Sequence, residues 1–129
     1  MKRAQLRRVV TSCAICVAAL VAIPTTSAKD GDVLVRGTCT KASAAKLKLS
    51  EEDGRIEVEF EVDQNRNGVR WSVVLRRPAT LLLRTTRLTR PPSGSFELRR
   101  VVADLAGRDR ISARATSPSG EVCRATAAF

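Results

Sequence analysis

The chain has 129 residues, a length that fits one domain, and its 23 Lys+Arg against 13 Asp+Glu give a formal charge of +10. It contains no His, which excludes the most familiar acid–base and zinc chemistry. One Trp, three Phe and no Tyr are too few aromatic rings for a surface that stacks single-stranded nucleic acid.

The first 28 residues have the layout of a secretory signal. Residues 1–8 carry four basic groups and no acid, and residues 9–23 then run for 15 positions without a charge. That run is too short for a transmembrane helix, which needs about 20 apolar residues. Small residues lead up to Ala28, as at a cleavage site. We predict a signal peptide at residues 1–28 and a secreted domain at residues 29–129, with a charge of +6 and no transmembrane span.

Removal of the leader changes what the cysteines indicate. Two of the four lie in the leader, which leaves Cys39 and Cys123 in the predicted domain. Export to an oxidising compartment makes one disulfide between them the expected state. The chain-entropy treatment gives a loop of this size about 4–5 kcal/mol of stabilisation.

Eight runs of the domain alternate apolar and polar residues with a period of two, which indicates strands with one buried face. In chain order they lie at residues 33–39, 45–49, 56–63, 69–76, 79–89, 95–102, 110–115 and 123–129. Gly, Pro, Asn and Asp mark the turns between them. The phase is less regular in the fifth and sixth runs, where Arg99 and Arg100 suggest a bulge. We predict an all-β fold, a single antiparallel β-sandwich of immunoglobulin-like type with 7–8 strands, and a small barrel as the alternative.

One strand pairing follows from charge. Lys46 and Lys48 lie on the polar face of one run, and Glu57, Glu59 and Glu61 lie on the polar face of the next. The Glu-Glu-Asp-Gly turn between them predicts an antiparallel hairpin with opposite charges across from each other. This pairing accounts for the acidic stripe without a metal ion.

Two segments match motifs only in part. Residues 63–68 match the opening of a calcium loop, but Val74 stands where the bidentate Glu is required, so we interpret Asn67 and Gly68 as a tight hairpin turn. Residues 43–46 match S-x-x-K, but they lie on an alternating run and the partner motifs do not occur. We predict no catalytic residue, no metal site and no cofactor, and therefore no enzyme.

The most suggestive feature is a concentration of Arg in the second half of the domain. Residues 64–100 hold nine Arg and one acid, Glu97. Guanidinium groups suit phosphate and carboxylate, so such a field could attract wall teichoic acid, acidic glycan, anionic lipid head groups or extracellular DNA. The candidate anion-binding residues are Arg70, Arg76, Arg77, Arg84, Arg87, Arg90, Arg99 and Arg100. Because they fall on both phases of their strands, the sequence favours a solvated surface over one continuous patch.

The end of the chain resembles a known kind of domain. In residues 102–121 an Asp-Leu-Ala-Gly corner leads into an alternating strand and a Ser-Pro-Ser-Gly turn. This segment resembles the closing hairpin of bacterial Ig-like and fibronectin-type domains, and the chain is similar to uncharacterised small secreted proteins of high-GC Gram-positive bacteria. The resemblance implies a β-sandwich and an extracellular location, and no activity. Trp71 departs from the antibody pattern because it lies far beyond Cys39, so we expect it in the core and the disulfide between the first and last strands.

Two functions remain open at this point. The first is a secreted, non-catalytic Ig-like module with a structural role or a protein partner at the cell surface. The alternative is an Arg-mediated binder of anionic cell-surface polymer or glycan. No specific nucleic-acid partner is predicted.

Overall fold

A computed structural model describes residues 31–129, and the predicted signal peptide lies outside this range. Between residues 31 and 129 the chain forms nine strands and no helix. The strands make two antiparallel sheets that pack face to face as a β-sandwich. The all-β sandwich predicted from the alternating runs is confirmed, and the barrel alternative is wrong.

The strands divide into a four-stranded and a five-stranded sheet. In chain order they are β1 Val33–Arg36, β2 Thr38–Cys39, β3 Ala44–Glu52, β4 Arg55–Asp63, β5 Arg70–Arg77, β6 Thr80–Leu88, β7 Ser95–Ala103, β8 Arg110–Thr116 and β9 Val122–Ala128. Sheet A has the order β1-β3-β4-β7, and sheet B has the order β2-β9-β8-β5-β6. The two long edge strands, β6 and β7, are consecutive in the chain and contact each other along one flank of the sandwich.

The first predicted strand divides at Gly37, which is why eight runs become nine strands. β1 pairs with β3 in sheet A and β2 pairs with β9 in sheet B, so the chain changes sheet between them. A Cβ at Gly37 would lie 2.6 Å from the carbonyl oxygen of Arg124 and 3.0 Å from the Cβ of Ala45. Glycine is therefore required by the close approach of two backbones at this crossing.

The core lies between the sheets and is built from the inward positions of the long strands. Trp71 is fully buried, and its indole N–H donates to Oε1 of Gln64 at 3.1 Å. The rings of Trp71 and Phe60 lie 6.1 and 6.4 Å from that of Phe96, in tilted and edge-on arrangements. The prediction that Trp71 packs in the core is confirmed, and its single polar atom is satisfied.

The predicted disulfide is confirmed. Cys39 on β2 and Cys123 on β9 are directly opposed in sheet B and are bonded to each other. The bond links the first strand run to the last strand, as expected, and closes a loop of 84 positions. It fastens β2, a strand of only two residues, to the sheet.

The prediction of a hairpin at Asn67 and Gly68 is wrong. β4 ends in sheet A and β5 begins in sheet B, so residues 64–69 cross from one sheet to the other. Thr89 fixes this crossing, since its buried hydroxyl donates to the carbonyl oxygen of Arg66 at 2.6 Å. Gly68 does adopt a positive φ, as a tight turn requires, but the strands on either side belong to different layers.

The bulge also lies elsewhere than predicted. β7 keeps a continuous register with β4 through Arg99 and Arg100. The irregularity is in β6, where Leu82 is the extra residue in the pairing opposite Leu75. As a result both Leu82 and Leu83 pack against the core, which explains the irregular phase of this run.

Candidate anion-binding face

Six Arg residues share the outer face of sheet B. Core residues such as Trp71 and Ile111 occupy alternate positions of its strands, so the intervening side chains point to solvent. The exposed Arg among them are Arg70, Arg76, Arg84, Arg110, Arg114 and Arg124. The outward positions of β2, β5, β6, β8 and β9 include no Asp or Glu, and the ion pairs within residues 31–129 involve none of the six. This face therefore carries six uncompensated positive charges.

Three of these residues lie in one row across four strands. Arg124 on β9 is opposite Arg114 on β8, Arg114 is opposite Val74 on β5, and Val74 is opposite Arg84 on β6. Neighbouring strands are about 4.8 Å apart, so the row spans about 14 Å. We call this set Arg124, Arg114 and Arg84 the Arg row.

Arg114 and Arg124 form a non-hydrogen-bonded pair. Asp109 and Phe129, on the same two chain segments, exchange both backbone N–H···O bonds at 3.0 and 2.8 Å. The two kinds of pair alternate along an antiparallel ladder, and Arg114 is an odd number of positions from Asp109. In such pairs the Cα atoms are about 4.5 Å apart and the side chains are closest. Two like charges are therefore neighbours in a position where they repel each other.

The Arg row crosses a shallow depression of about 460 Å³. Arg76, Arg84, Arg114 and Arg124 line it, together with four Ser and Thr side chains from β5, β8 and β9. The outward positions of sheet B carry no aromatic ring. The depression therefore offers guanidinium and hydroxyl donors to an anion, and no aromatic plane on which a nucleobase could stack.

The eight Arg proposed from the sequence do not form one surface. Arg70, Arg76 and Arg84 lie on the outer face of sheet B. Arg77 and Arg99 are instead held by carboxylates: Nε of Arg77 lies 3.0 Å from Oδ1 of Asp109, and Arg99 donates to Glu57 on sheet A. These two have structural partners within the fold.

The remaining three candidates lie near the flank formed by the edge strands. Arg87 on β6 and Arg100 on β7 take the inward phase of their strands, opposite Trp71 and Val58. Arg90 lies in the loop that joins the two strands. A charge that points inward on an edge strand hinders pairing with another chain, so these residues protect exposed edges.

Sequence reasoning misses the other half of the face. Arg110, Arg114 and Arg124 lie beyond residue 100, where the count of candidates ends. A signal was present, because each of them alternates with small apolar residues that turn out to be buried. What the sequence does not contain is the order β9-β8-β5-β6, which brings these residues beside Arg76 and Arg84.

The outer face of sheet A has the opposite character. Its outward positions carry five cationic and six acidic residues. Lys46 lies 3.2 Å from Glu61, and Lys48 lies 3.7 Å from Glu59, as the predicted charged hairpin requires. Lys46–Glu61 and Lys48–Glu59 therefore neutralise each other in cross-strand pairs, although the register also places Arg36 opposite Lys46 and Glu61 opposite Glu97.

Two of these acids have pKa values shifted in opposite directions. The hydrogen bond from the Arg99 guanidinium holds the pKa of Glu57 below its ordinary value. Burial raises the pKa of Glu59, and its hydrogen bond with Glu57 adds to the shift. The same pairing raises the pKa of Arg99, while Asp32, 3.1 Å away, raises that of Lys48.

Buried carboxylates outside the two faces serve the fold. Glu121 accepts hydrogen bonds from the hydroxyl of Ser43 at 2.6 Å and from its backbone N–H at 3.1 Å. Asp109 accepts from Arg77 and from the backbone N–H of Leu105 at 2.7 Å. In the calcium-like segment Asp63 accepts the backbone N–H of Asn65 at 3.0 Å. Within the described range, no three His, Cys, Asp or Glu side chains are grouped to hold a metal ion.

No protein-family model matches the chain, and no curated protein matches it. Between residues 31 and 129 there is no helix long and apolar enough to span a membrane.

Proposed function

We propose that the protein is a secreted, non-catalytic Ig-like module that binds an anionic polymer of the cell surface through the outer face of sheet B. The observation that carries this proposal is the gathering of six exposed Arg, with no acid, on the outward positions of one sheet. Solubility does not require six Arg on one face, because charges of both signs spread over the whole surface keep a protein equally soluble.

The chemistry of the face suits a polyanion. Guanidinium groups remain charged at all physiological pH values and present several donors in a fixed plane. On a shallow face each interaction is weak alone, but a polymer that neutralises several Arg at once releases its counterions and gains affinity from each. The depression is open, so a chain can lie across it without an entry path.

Three observations support export and the Ig-like assignment. The N-terminal charge and apolar pattern is that of a secretory signal. The Cys39–Cys123 disulfide is a bond that persists in oxidising compartments. Two packed antiparallel sheets, with a first strand that is shared between them, agree with the sandwich architecture of Ig-like domains.

A protein partner is the less favoured function on this surface. Between residues 31 and 129 the exposed large apolar side chains lie on β1, near the two ends of β6 and in a loop: Leu34, Leu81, Leu88 and Leu105. Apolar residues scattered singly are normal on a surface and do not form the contiguous patch typical of a protein interface.

The test is binding to an immobilised anionic cell-wall polymer across a salt series. We expect the triple variant R76Q/R84Q/R114Q to reduce the slope of log affinity against log salt by about 2, since each phosphate that an Arg no longer neutralises lowers it by about 0.7. The matched control is R36Q/R55Q/R66Q, which removes the same charge from Arg residues outside this face and outside the ion pairs of the described range. An equal reduction of binding in both variants would show that net charge alone drives binding and would overturn the proposal, as would binding that does not weaken with salt.

A further inference from the structure

The Arg114–Arg124 pair is unfavourable for the fold as it stands. Two guanidinium groups are neighbours on adjacent strands, and the described ion pairs provide no carboxylate for either. An anion seated between them would replace this repulsion with two charge-assisted hydrogen bonds. This pair is therefore the position on the face where a single anionic group gains most.

We propose that the pair seats one phosphate of a linear polyol-phosphate polymer, and that the polymer runs across the strands along the Arg row. This inference rests on the proposed function and specifies its ligand. Arg124 and Arg114 bind one phosphate, and Arg84, two strands farther on, binds a later phosphate about 10 Å away.

The direction in which the polymer lies follows from the spacing of the Arg residues along and across the strands. Along β8 the outward neighbours of Arg114 are Ser112 and Thr116, and the next Arg is Arg110, about 14 Å away. Across the strands, Arg124 is the immediate neighbour of Arg114, and Arg76 lies in the adjacent row beside it. A polyanion therefore meets more cations per unit length when it crosses the sheet.

The phosphate class follows from the donors around the pair. A carboxylate has two oxygens, which one guanidinium fork can satisfy. A phosphodiester has two ester oxygens besides the two non-bridging oxygens that share its negative charge, and the ester oxygens can accept from the hydroxyls of Ser112 and Thr116 that line the same depression. Since the outward positions of sheet B have no aromatic ring, an acyclic polyol backbone fits better than one that carries nucleobases.

The experiment measures binding of the purified protein to poly(glycerol phosphate), to polyglutamate of equal charge number and to oligothymidylate. The variant R114Q/R124Q removes the pair, and the control R70Q/R110Q removes two Arg from the same face outside the depression. We expect the first to weaken binding to poly(glycerol phosphate) by about ten-fold or more and to lower the salt slope by about 0.7, since the pair neutralises one phosphate. The control should weaken it by about three-fold or less, and polyglutamate should bind the unaltered protein about ten-fold more weakly.

The outcomes separate this inference from the proposed function. Equal weakening in the two double variants would overturn the phosphate seat but leave a diffuse Arg face in place. Equal affinity for polyglutamate would overturn the phosphate class, and equal affinity for oligothymidylate would overturn the polyol backbone. Binding to none of the three polyanions would overturn the proposed function itself. Thermal unfolding of both double variants at or above the midpoint of the unaltered protein excludes misfolding as the cause of weaker binding.

Discussion

The outer faces of the two sheets both carry many charged side chains, but they arrange these charges differently. Sheet A carries cations and acids in nearly equal number, with Lys46 opposite Glu61 and Lys48 opposite Glu59. Its like-charge neighbours, Arg36 beside Lys46 and Glu61 beside Glu97, lie on either side of the Lys46–Glu61 ion pair. Sheet B carries six Arg and no acid on its outward positions, and places Arg114 opposite Arg124. Both faces lie on the same core, so packing does not account for the difference.

This difference separates charge that serves folding from charge that does not. Cross-strand pairs of opposite sign each stabilise a sheet by about 0.2–1 kcal/mol, whereas like charges directly opposite each other destabilise it. The ion pairs of sheet A are thus part of what holds the fold together. The Arg face of sheet B is maintained against its own repulsion, and the polyanion binding that we propose accounts for its arrangement.

The largest expected effect concerns how sheet B is held without ion pairs on its outer face. Replacing both Cys39 and Cys123 with Ser should lower the free energy of unfolding by about 2–5 kcal/mol, because the bond closes a loop of 84 positions. Urea denaturation of the variant and of the unaltered protein measures this. Amide hydrogen exchange should then increase in β2 and β9 more than in β3 and β4, since the bond fastens β2 to sheet B. Equal increases in both sheets would contradict a local role for the bond.

A smaller effect tests the ion pairs of sheet A through pH. Glu57→Gln should lower the free energy of unfolding at pH 7 by less than about 1 kcal/mol, because Arg99 loses the nearer of its two carboxylates and keeps Glu52 on a half-exposed surface. The folded pKa of Glu57 lies below its ordinary value of 4.5, so its contribution is present above that value and is lost as the pH falls through the folded pKa. Denaturation from pH 7 to pH 3 should therefore show the difference between variant and unaltered protein disappearing below about pH 4.5.

Glu59→Gln is the matched control for this change. Glu59 lies on the same face of the same strand, but its pKa is raised, so the stability it contributes is present below 4.5 and lost as the pH rises through the folded pKa. Its replacement should change the free energy of unfolding at pH 7 by less than Glu57→Gln does, because burial and the neighbouring Glu57 oppose its pair with Lys48. If Glu59→Gln destabilised the protein as much as Glu57→Gln, removal of any acid from this face would have the same effect. The Glu57–Arg99 pair would then make no specific contribution to stability.

The sequence predicts the layers of this fold better than their arrangement. Alternation of period two identifies the strands and their buried faces, and the charges of Lys46 and Lys48 identify the β3–β4 hairpin. Neither alternation nor charge indicates which strands will pair after the chain crosses from one sheet to the other. Gly37 and residues 64–69 are therefore recognised as crossings only in the structure. The undivided first strand and the wrong hairpin have this cause, since local patterns report the phase of a strand and not its neighbours. The misplaced bulge is instead an error in the phase itself, where the β6 run is irregular.

The candidate site illustrates the same limit. Arg70, Arg76 and Arg84 could be proposed from the sequence because they are close together in the chain. Arg114 and Arg124 join them only through the order of strands in sheet B, a non-local property that depends on how the whole core packs. A face built from four strands is therefore visible in the sequence only as separate alternating segments.

The smallest effect has the opposite sign to the others. Arg114→Gln should raise the free energy of unfolding by about 0.5 kcal/mol at low salt, because it removes a like-charge pair across adjacent strands. Arg110→Gln is the control on the same hairpin, since Arg110 faces Ala128 and its removal relieves no direct repulsion. Thermal unfolding at low and high salt measures both changes, and the gain should disappear as salt screens the charges. If Arg114→Gln stabilises the protein only at low salt and also abolishes polymer binding, Arg114 serves the ligand and not the fold. If Arg114→Gln instead lowers the stability, Arg114 is a structural charge like those of sheet A.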